Sequence, residues 1–277
     1  MAETAAHLVD QVFPKAGVRQ YVLSFPMPIR FILARHPKHL SAVLTIVHRA
    51  ISTFIKIKAK KKGFKGELQP GAVTLVQRFG GSINLNVHLH MLFLEGGFYE
   101  TKDGARLWWI DKPTDEEIKN LVEKLSHRVI RYLKKHDYFR NECDDSGPDE
   151  FEQNELTPEL QAASIKSRIA LGKRKGQYVR RLGSIDFASS YAELIGPLCA
   201  QMVGFSLHAA VYCAPWERHK LEKLIRYVAR PAVAEKRLKQ LPSGEIVYKL
   251  KTKYSDGTSH LMFSGVEFVE TVNARMA

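Results

Sequence analysis

The run NVHLHMLFL, Asn86–Leu94, sets two histidines two residues apart inside an otherwise apolar stretch. Side chains on a β-strand alternate between its faces. A strand here puts Asn86, His88 and His90 on one face and Val87, Leu89, Met91 and Phe93 on the other. The apolar face suits a core. The imidazoles opposite it are read either as half-buried hydrogen-bonding groups or as metal ligands.

A useful metal site needs a third donor. Upstream, AVTLVQRF (72–79) reads as another strand and GGSIN (80–84) as a turn. If the hairpin reverses near Ser82, Gln77 lands opposite residue 87 or 88, about one strand spacing (roughly 5 Å) from His88. Gln77 is then the candidate third ligand, through its amide oxygen. Asn86 shares the histidine face but lies nearer the loop. Two nitrogens and an amide oxygen suit Mn²⁺ or Mg²⁺ with positions open for phosphate oxygens. A zinc site would call for a further histidine or a carboxylate, and His208 on GFSLHAAVYCA (204–214) is the strand histidine left to offer one.

Further out, RQYVLSFP (19–26) reads as a strand stopped by Pro26 and Pro28. From Pro37 to about Lys62, Leu40, Val43, Leu44, Val47, Ile51, Phe54 and Ile55 fall at helical spacing, and the helix ends on lysines that suit its negative pole. GGFYETKDGARLWWI (96–110) reads as a short hairpin or inserted loop. Residues 115–136 form an amphipathic helix with Thr114 as its N-cap. Helices are also expected over 157–171 and over Ala188–Met202, the latter broken near Pro197. GFSLHAAVYCA is expected as one strand, followed by a helix from about Pro215 to Ala229 that Pro231 terminates. EIVYKLKTKYSDGTSHLMFS (245–264) reads as two strands around an Asp256-Gly257 turn. Helices and hairpin-connected strands give α+β, an antiparallel sheet covered by helices. We expect one catalytic domain over 1–277, with the acidic stretch 141–156 as a linker or exposed loop.

The chain is 45% hydrophobic and carries a net charge of +13. Such a charge points to an anionic partner, most often nucleic acid. It is also segregated. Lys56, Lys58, Lys60, Lys61, Lys62 and Lys65 form one cluster. Lys166, Arg168, Lys173, Arg174, Lys175, Arg180 and Arg181 form another, with no acid between them. The second cluster reads as a phosphate track with Tyr178 available to stack on a base, or as a solvated loop. No run of about 18 apolar residues suggests a membrane span, and MAETAAHLVD does not read as a signal peptide. Cys143, Cys199 and Cys213 make neither a disulfide framework nor a CxxC site, which fits a reducing cytoplasm.

On the helix WERHKLEKLIRYVAR (216–230), Leu221, Leu224, Ile225 and Val228 form the apolar stripe and Tyr227 lies at its flank. Lys220 and Lys223 precede Tyr227, and Arg230 follows it. Cations beside a phenol favour its ionised form and also hold phosphate. By spacing alone, the better reading of Tyr227 is a core-edge tyrosine with a wet hydroxyl, since such tyrosines are common.

Taken in order, RQYVLSFPMPIRFILA, VQRFGGSINLNVHLHMLFLEGG, LQAASIKSRIALG, GFSLHAAVYC, LIRYVARPAVAEKRL and YKLKTKYSDGTSHLMFS resemble the rolling-circle transposases of the HUH (His-hydrophobic-His) superfamily. The likeness is to the bacterial insertion-sequence group that includes the common-region (ISCR) elements. It spans nearly the whole chain. The resemblance implies an antiparallel sheet carrying the metal-binding histidines beside a helix with a catalytic tyrosine. A divalent ion, Mg²⁺ or Mn²⁺, polarises the scissile phosphate of single-stranded DNA or of a hairpin end. The tyrosine attacks, leaving a 5′-phosphotyrosine and a free 3′-hydroxyl. Carried over, His88 and His90 are metal ligands and Tyr227 is the nucleophile. On charge and position, Lys173, Arg174, Lys175, Arg180, Arg181, Lys223 and Arg230 are the expected DNA contacts. A bacterial cytoplasmic, nucleoid-associated protein follows from the same likeness.

Three features depart from the pattern. Lys223 stands where two-tyrosine members carry a first tyrosine. The cysteine-rich zinc segment that usually opens such proteins is missing from this sequence. The sequence ends at VEFVETVNARMA, where relatives usually continue, so a truncated version is expected. A plasmid or phage replication initiator shares the chemistry, and an inactive DNA-binding remnant shares the charge. A small-molecule zinc hydrolase leaves +13 unexplained.

Overall fold

The computed structural model describes residues 2–80, 85–138, 191–230, 233, 235–251, 253 and 256–269. The chain divides into two compact units, Met1–Ser126 with Tyr191–Ala277, and His127–Ser190. The expected acidic linker, the helix over 157–171 and the basic cluster from Lys166 to Arg181 lie outside the described residues, as does Pro231.

The architecture is α+β. In the main sheet the strands run β2 (Ala72–Phe79), β3 (Leu85–Leu94), β1 (Val18–Ser24), β8 (Phe205–His208), β7 (Cys199–Met202) and β6 (Glu193–Gly196), and β9 (Tyr212–Cys213) also pairs with β1. All these pairings are antiparallel. Registers of Val22 with His90 and Gln77 with His88 set which residues share a face. On one face Tyr21, Leu23, Leu89, Met91 and Phe93 are buried. Tyr21 meets Phe93 edge to face at 5.8 Å, and the His48 ring lies 5.1 Å from Phe93. Each fully buried side chain of this size contributes roughly 1.5–3 kcal/mol. His48 comes from α3 (Pro37–Lys61), whose stripe of Leu40, Val43, Val47, Ile51 and Ile55 is also buried. By length and composition alone α3 could span a membrane; its buried stripe fits a core helix.

The other face is only partly covered. There Val18, Leu92, Leu94 and Cys213 form a cluster with Ala5 of α1 (Ala2–His7), with Val9 of the π-helical turn Leu8–Val12, and with Leu221 and Ile225 of α5 (Arg218–Val228). The half of this face nearest α5 is therefore core, and His88 and His90 sit where the cover ends.

A buried ion pair holds β1 and the end of β3 together. Arg19 is 4% and Glu95 7% exposed, with Arg19 Nη2 at 2.6 Å from Glu95 Oε1. Arg19 Nη1 donates to the Ala209 carbonyl at 2.9 Å and its guanidinium lies over the Tyr212 ring.

Several expectations hold. β2 and β3 pair as read, β4 (Gly96–Thr101) and β5 (Gly104–Trp109) form the hairpin, and α4 (Asp115–Lys135) starts at a capping box. In that box the Glu117 amide donates to Thr114 Oγ1 at 3.2 Å and the Thr114 amide to Glu117 Oε2 at 2.8 Å. Others do not. The described part of the helix expected over Ala188–Met202 is instead the β6–β7 hairpin. The Leu198 amide donates to Asp115 Oδ1 at 2.6 Å, so a carboxylate from α4 organises the hairpin's turn. GFSLHAAVYCA splits into β8 and β9, and the helix that follows begins at Arg218 rather than Pro215. The proline pair after β1 leads into a helix the sequence reading left out, α2 (Met27–Arg35), with Pro28 in its first turn, where its missing N–H costs nothing. At the C-terminal end, β11 (Ile246–Lys249) and β12 (His260–Phe263) flank Asp256 and Gly257 as expected. An additional strand, β10 (Leu238–Gln240), completes a separate three-stranded sheet.

Candidate metal and nucleophile site

His88 and His90 lie side by side on the partly covered face, their rings 4.9 Å apart. His88 Nδ1 is 2.7 Å from the Asn86 carbonyl oxygen. A carbonyl only accepts, so the His88 proton sits on Nδ1 and the Nε2 lone pair is free. Burial lowers the pKa of His88, as do the nearby Arg30 and Arg230 guanidinium groups, against the opposing pull of the Asn86 carbonyl. His90 is only 6% exposed, and burial, then His88 and Arg230, push it down to about 4. Both rings are neutral at neutral pH, the form that binds metals.

The amide of Gln20, itself buried, meets His90 Nδ1 at 2.9 Å. A glutamine amide can turn either its NH₂ or its oxygen toward an imidazole. With the oxygen toward Nδ1–H, the Nε2 lone pair of His90 is free as well. Metal-ligating histidines are commonly oriented through their second nitrogen in this way.

Gln77 lies opposite His88 in register, as the sequence suggested. Its Nε2 donates to the carbonyl oxygen of Val228, on α5. The amide oxygen is left available as a ligand, while the amide nitrogen ties the histidine-bearing hairpin to the helix that carries Tyr227. Asn86 Oδ1 is buried with no hydrogen-bond partner, an orphan acceptor beside the two imidazoles. Among the described residues no group of three or more His, Cys, Asp or Glu side chains is placed to hold a metal ion. His208 shares the face but stands beyond β1, opposite Val22, which itself faces His90. The donor set that fits a divalent ion is therefore two neutral imidazoles with amide oxygens, and it contains no protein carboxylate.

Tyr227 is 48% exposed, in the last turn of α5. The stripe beneath it is anchored through Leu221, Ile225 and Val228. The Arg230 guanidinium carbon lies 4.4 Å from the Tyr227 ring centroid and the Lys251 ammonium 5.9 Å. Arg230 also acts on both histidines, so one guanidinium serves the imidazole pair and the phenol. Lys223 is exposed one turn earlier on the same helix. Lys173, Arg174, Lys175, Arg180 and Arg181 lie outside the described residues. Sequence reasoning missed Gln20, Arg30 and Lys251. Gln20 could have been found by pairing β1 with β3, which places Gln20 and Val22 on the histidine face; nothing local marks Arg30 or Lys251.

The family described as "Putative transposase" matches residues 71–276, a span that includes β2, β3, α5 and the three-stranded sheet. No curated protein and no solved structure matches the chain.

Proposed function

The chain belongs to this transposase family, and from that premise we propose that it nicks and rejoins single-stranded DNA through a 5′-phosphotyrosine, in the rolling-circle manner of the HUH enzymes. The observation that carries this reading is the convergence on one site of a neutral histidine pair, a tyrosine and a shared arginine, with Gln77 joining the two halves.

In this mechanism His88, His90 and an amide oxygen, from Gln77 or Asn86, would hold Mg²⁺ or Mn²⁺. A divalent ion bound there supplies Lewis-acid polarisation of the scissile phosphate. Arg230 and Lys251 flank the phenol and hold the phosphate oxygens by charge-assisted hydrogen bonds. Tyr227 Oη attacks phosphorus. The bond from phosphorus to the 3′ oxygen breaks, and that oxygen leaves with the electron pair and takes up a proton. The proton lost by the phenol passes to solvent, which reaches the half-exposed ring. The product is a strand joined to Tyr227 by its 5′ phosphate and a strand ending in a free 3′-hydroxyl, which reverses the step on rejoining. With Lys223 one turn before Tyr227, α5 offers one phenol per chain, so transfer to a new strand requires a second chain or a second round at the same phenol.

Tyr227→Phe tests the assignment. It keeps the ring and removes the nucleophilic oxygen. Incubated with Mn²⁺ and a labelled single strand carrying the element's end, the parent protein should form a covalent adduct mapping to Tyr227, and the variant none. An undiminished adduct on another tyrosine overturns the reading.

A further inference from the structure

The small sheet β10–β11–β12 has two unlike faces. Leu238, Tyr248, Leu261 and Phe263 turn inward to a core shared with Leu250 and Phe268. The registers Lys239↔Val247↔Met262 and Lys249↔His260 put these residues together on the opposite face. Lys239, Lys249, His260 and Met262 are all exposed, Met262 by 62%. No acidic partner of Lys239, Lys249 or Lys251 occurs among the described residues. The lysines at the end of α3 differ: Lys58 pairs with Glu117 and Lys62 with Asp111. The face also leads to the nucleophile, because Lys251, two residues past Lys249, is the residue whose ammonium stands 5.9 Å from the Tyr227 ring.

We propose that this outward face is a rail for single-stranded DNA that feeds the scissile phosphate to Tyr227. Lys239, Lys249 and Lys251 take successive phosphates, and Val247 and Met262 between them give apolar contact to base faces. A duplex hides its base faces, so the mixture of ammonium groups and bare apolar side chains fits an unpaired strand. The occupant follows from the proposed chemistry; the face and its charge stand independently of it.

The experiment uses the full chain and a labelled single strand of mixed sequence, with affinity measured across a salt series. Replacing Lys239, Lys249 and Lys251 by glutamine should flatten the slope of log K against log salt by roughly 0.7 per lost contact, about 2 in all. These side chains are exposed, so thermal unfolding should be unchanged. Met262→Glu, a second handle, should weaken binding to the single strand more than to a duplex of the same sequence. An unchanged slope in the triple variant overturns the inference even where the parent forms its Tyr227 adduct. So does a loss appearing instead in a Lys60, Lys61 and Lys65 triple variant, or equal losses on single strand and duplex. A flattened slope in a protein that forms no tyrosine adduct supports the rail and removes the phosphotyrosine reading instead.

Discussion

Lowering the pH should destabilise the metal-free protein through His90. The buried ring is pushed down to about 4, from 6.5 when exposed. Above pH 6.5 it is neutral in both folded and unfolded chains, and the full stability is present. Below 6.5 the unfolded chain takes up a proton that the folded chain refuses until about pH 4. Stability falls through that window and levels off below it. The whole shift corresponds to about 3 kcal/mol, of which about 2 kcal/mol is lost by pH 5. His88, also lowered, acts in the same direction. Urea unfolding at pH 8 and pH 5, with chelator present, measures the loss in the parent and in His90→Gln, which cannot titrate. The variant should lose about 2 kcal/mol less across the interval. Equal losses would refute the reasoning, as would a His90 imidazole NMR signal titrating near 6.5.

His88→Ala and His90→Ala should each abolish metal-dependent nicking and leave most single-strand affinity in place; full nicking by the double variant removes the metal assignment. Gln77→Met should cost about 1–2 kcal/mol in unfolding free energy by stranding the Val228 carbonyl. It should slow adduct formation by roughly 100-fold, because a small displacement of Tyr227 spoils attack geometry. Lost stability with an unchanged adduct rate would make Gln77 a structural brace only.

The site was legible in the sequence where periodicity carried it. Alternation alone put His88 and His90 on one face, and hairpin counting put Gln77 opposite residue 87 or 88, which the register resolves as His88. The helical stripe of α5 placed Tyr227 at its edge. The misreadings fall where tertiary contact decides the backbone. Leu198 and Val203 adopt φ of +49° and +50°, conformations that turn signals reserve for glycine or asparagine. The segment around them therefore looked like one broken helix instead of strands β6 and β7, since the Asp115 carboxylate that fixes the Leu198 turn is 83 residues away. Arg30 and Lys251 were invisible for the same reason: each comes to the site from an element whose partner lies far along the chain.

The position of Tyr227 on α5 carries a last consequence. Phosphate commonly binds at helix N-termini, where free N–H groups and the macrodipole attract it. Tyr227 stands in the final turn, at the pole carrying about half a negative charge. Under the proposed chemistry this helix pole opposes a phosphate, and the attraction would come from side chains such as Arg230 and Lys251. A site of this kind keeps no residual pull when its cations are lost. Under the proposed chemistry, a divalent ion held by imidazoles and amide oxygens would gain a further ligand from the phosphate. Metal and DNA would then strengthen each other's binding by the same factor.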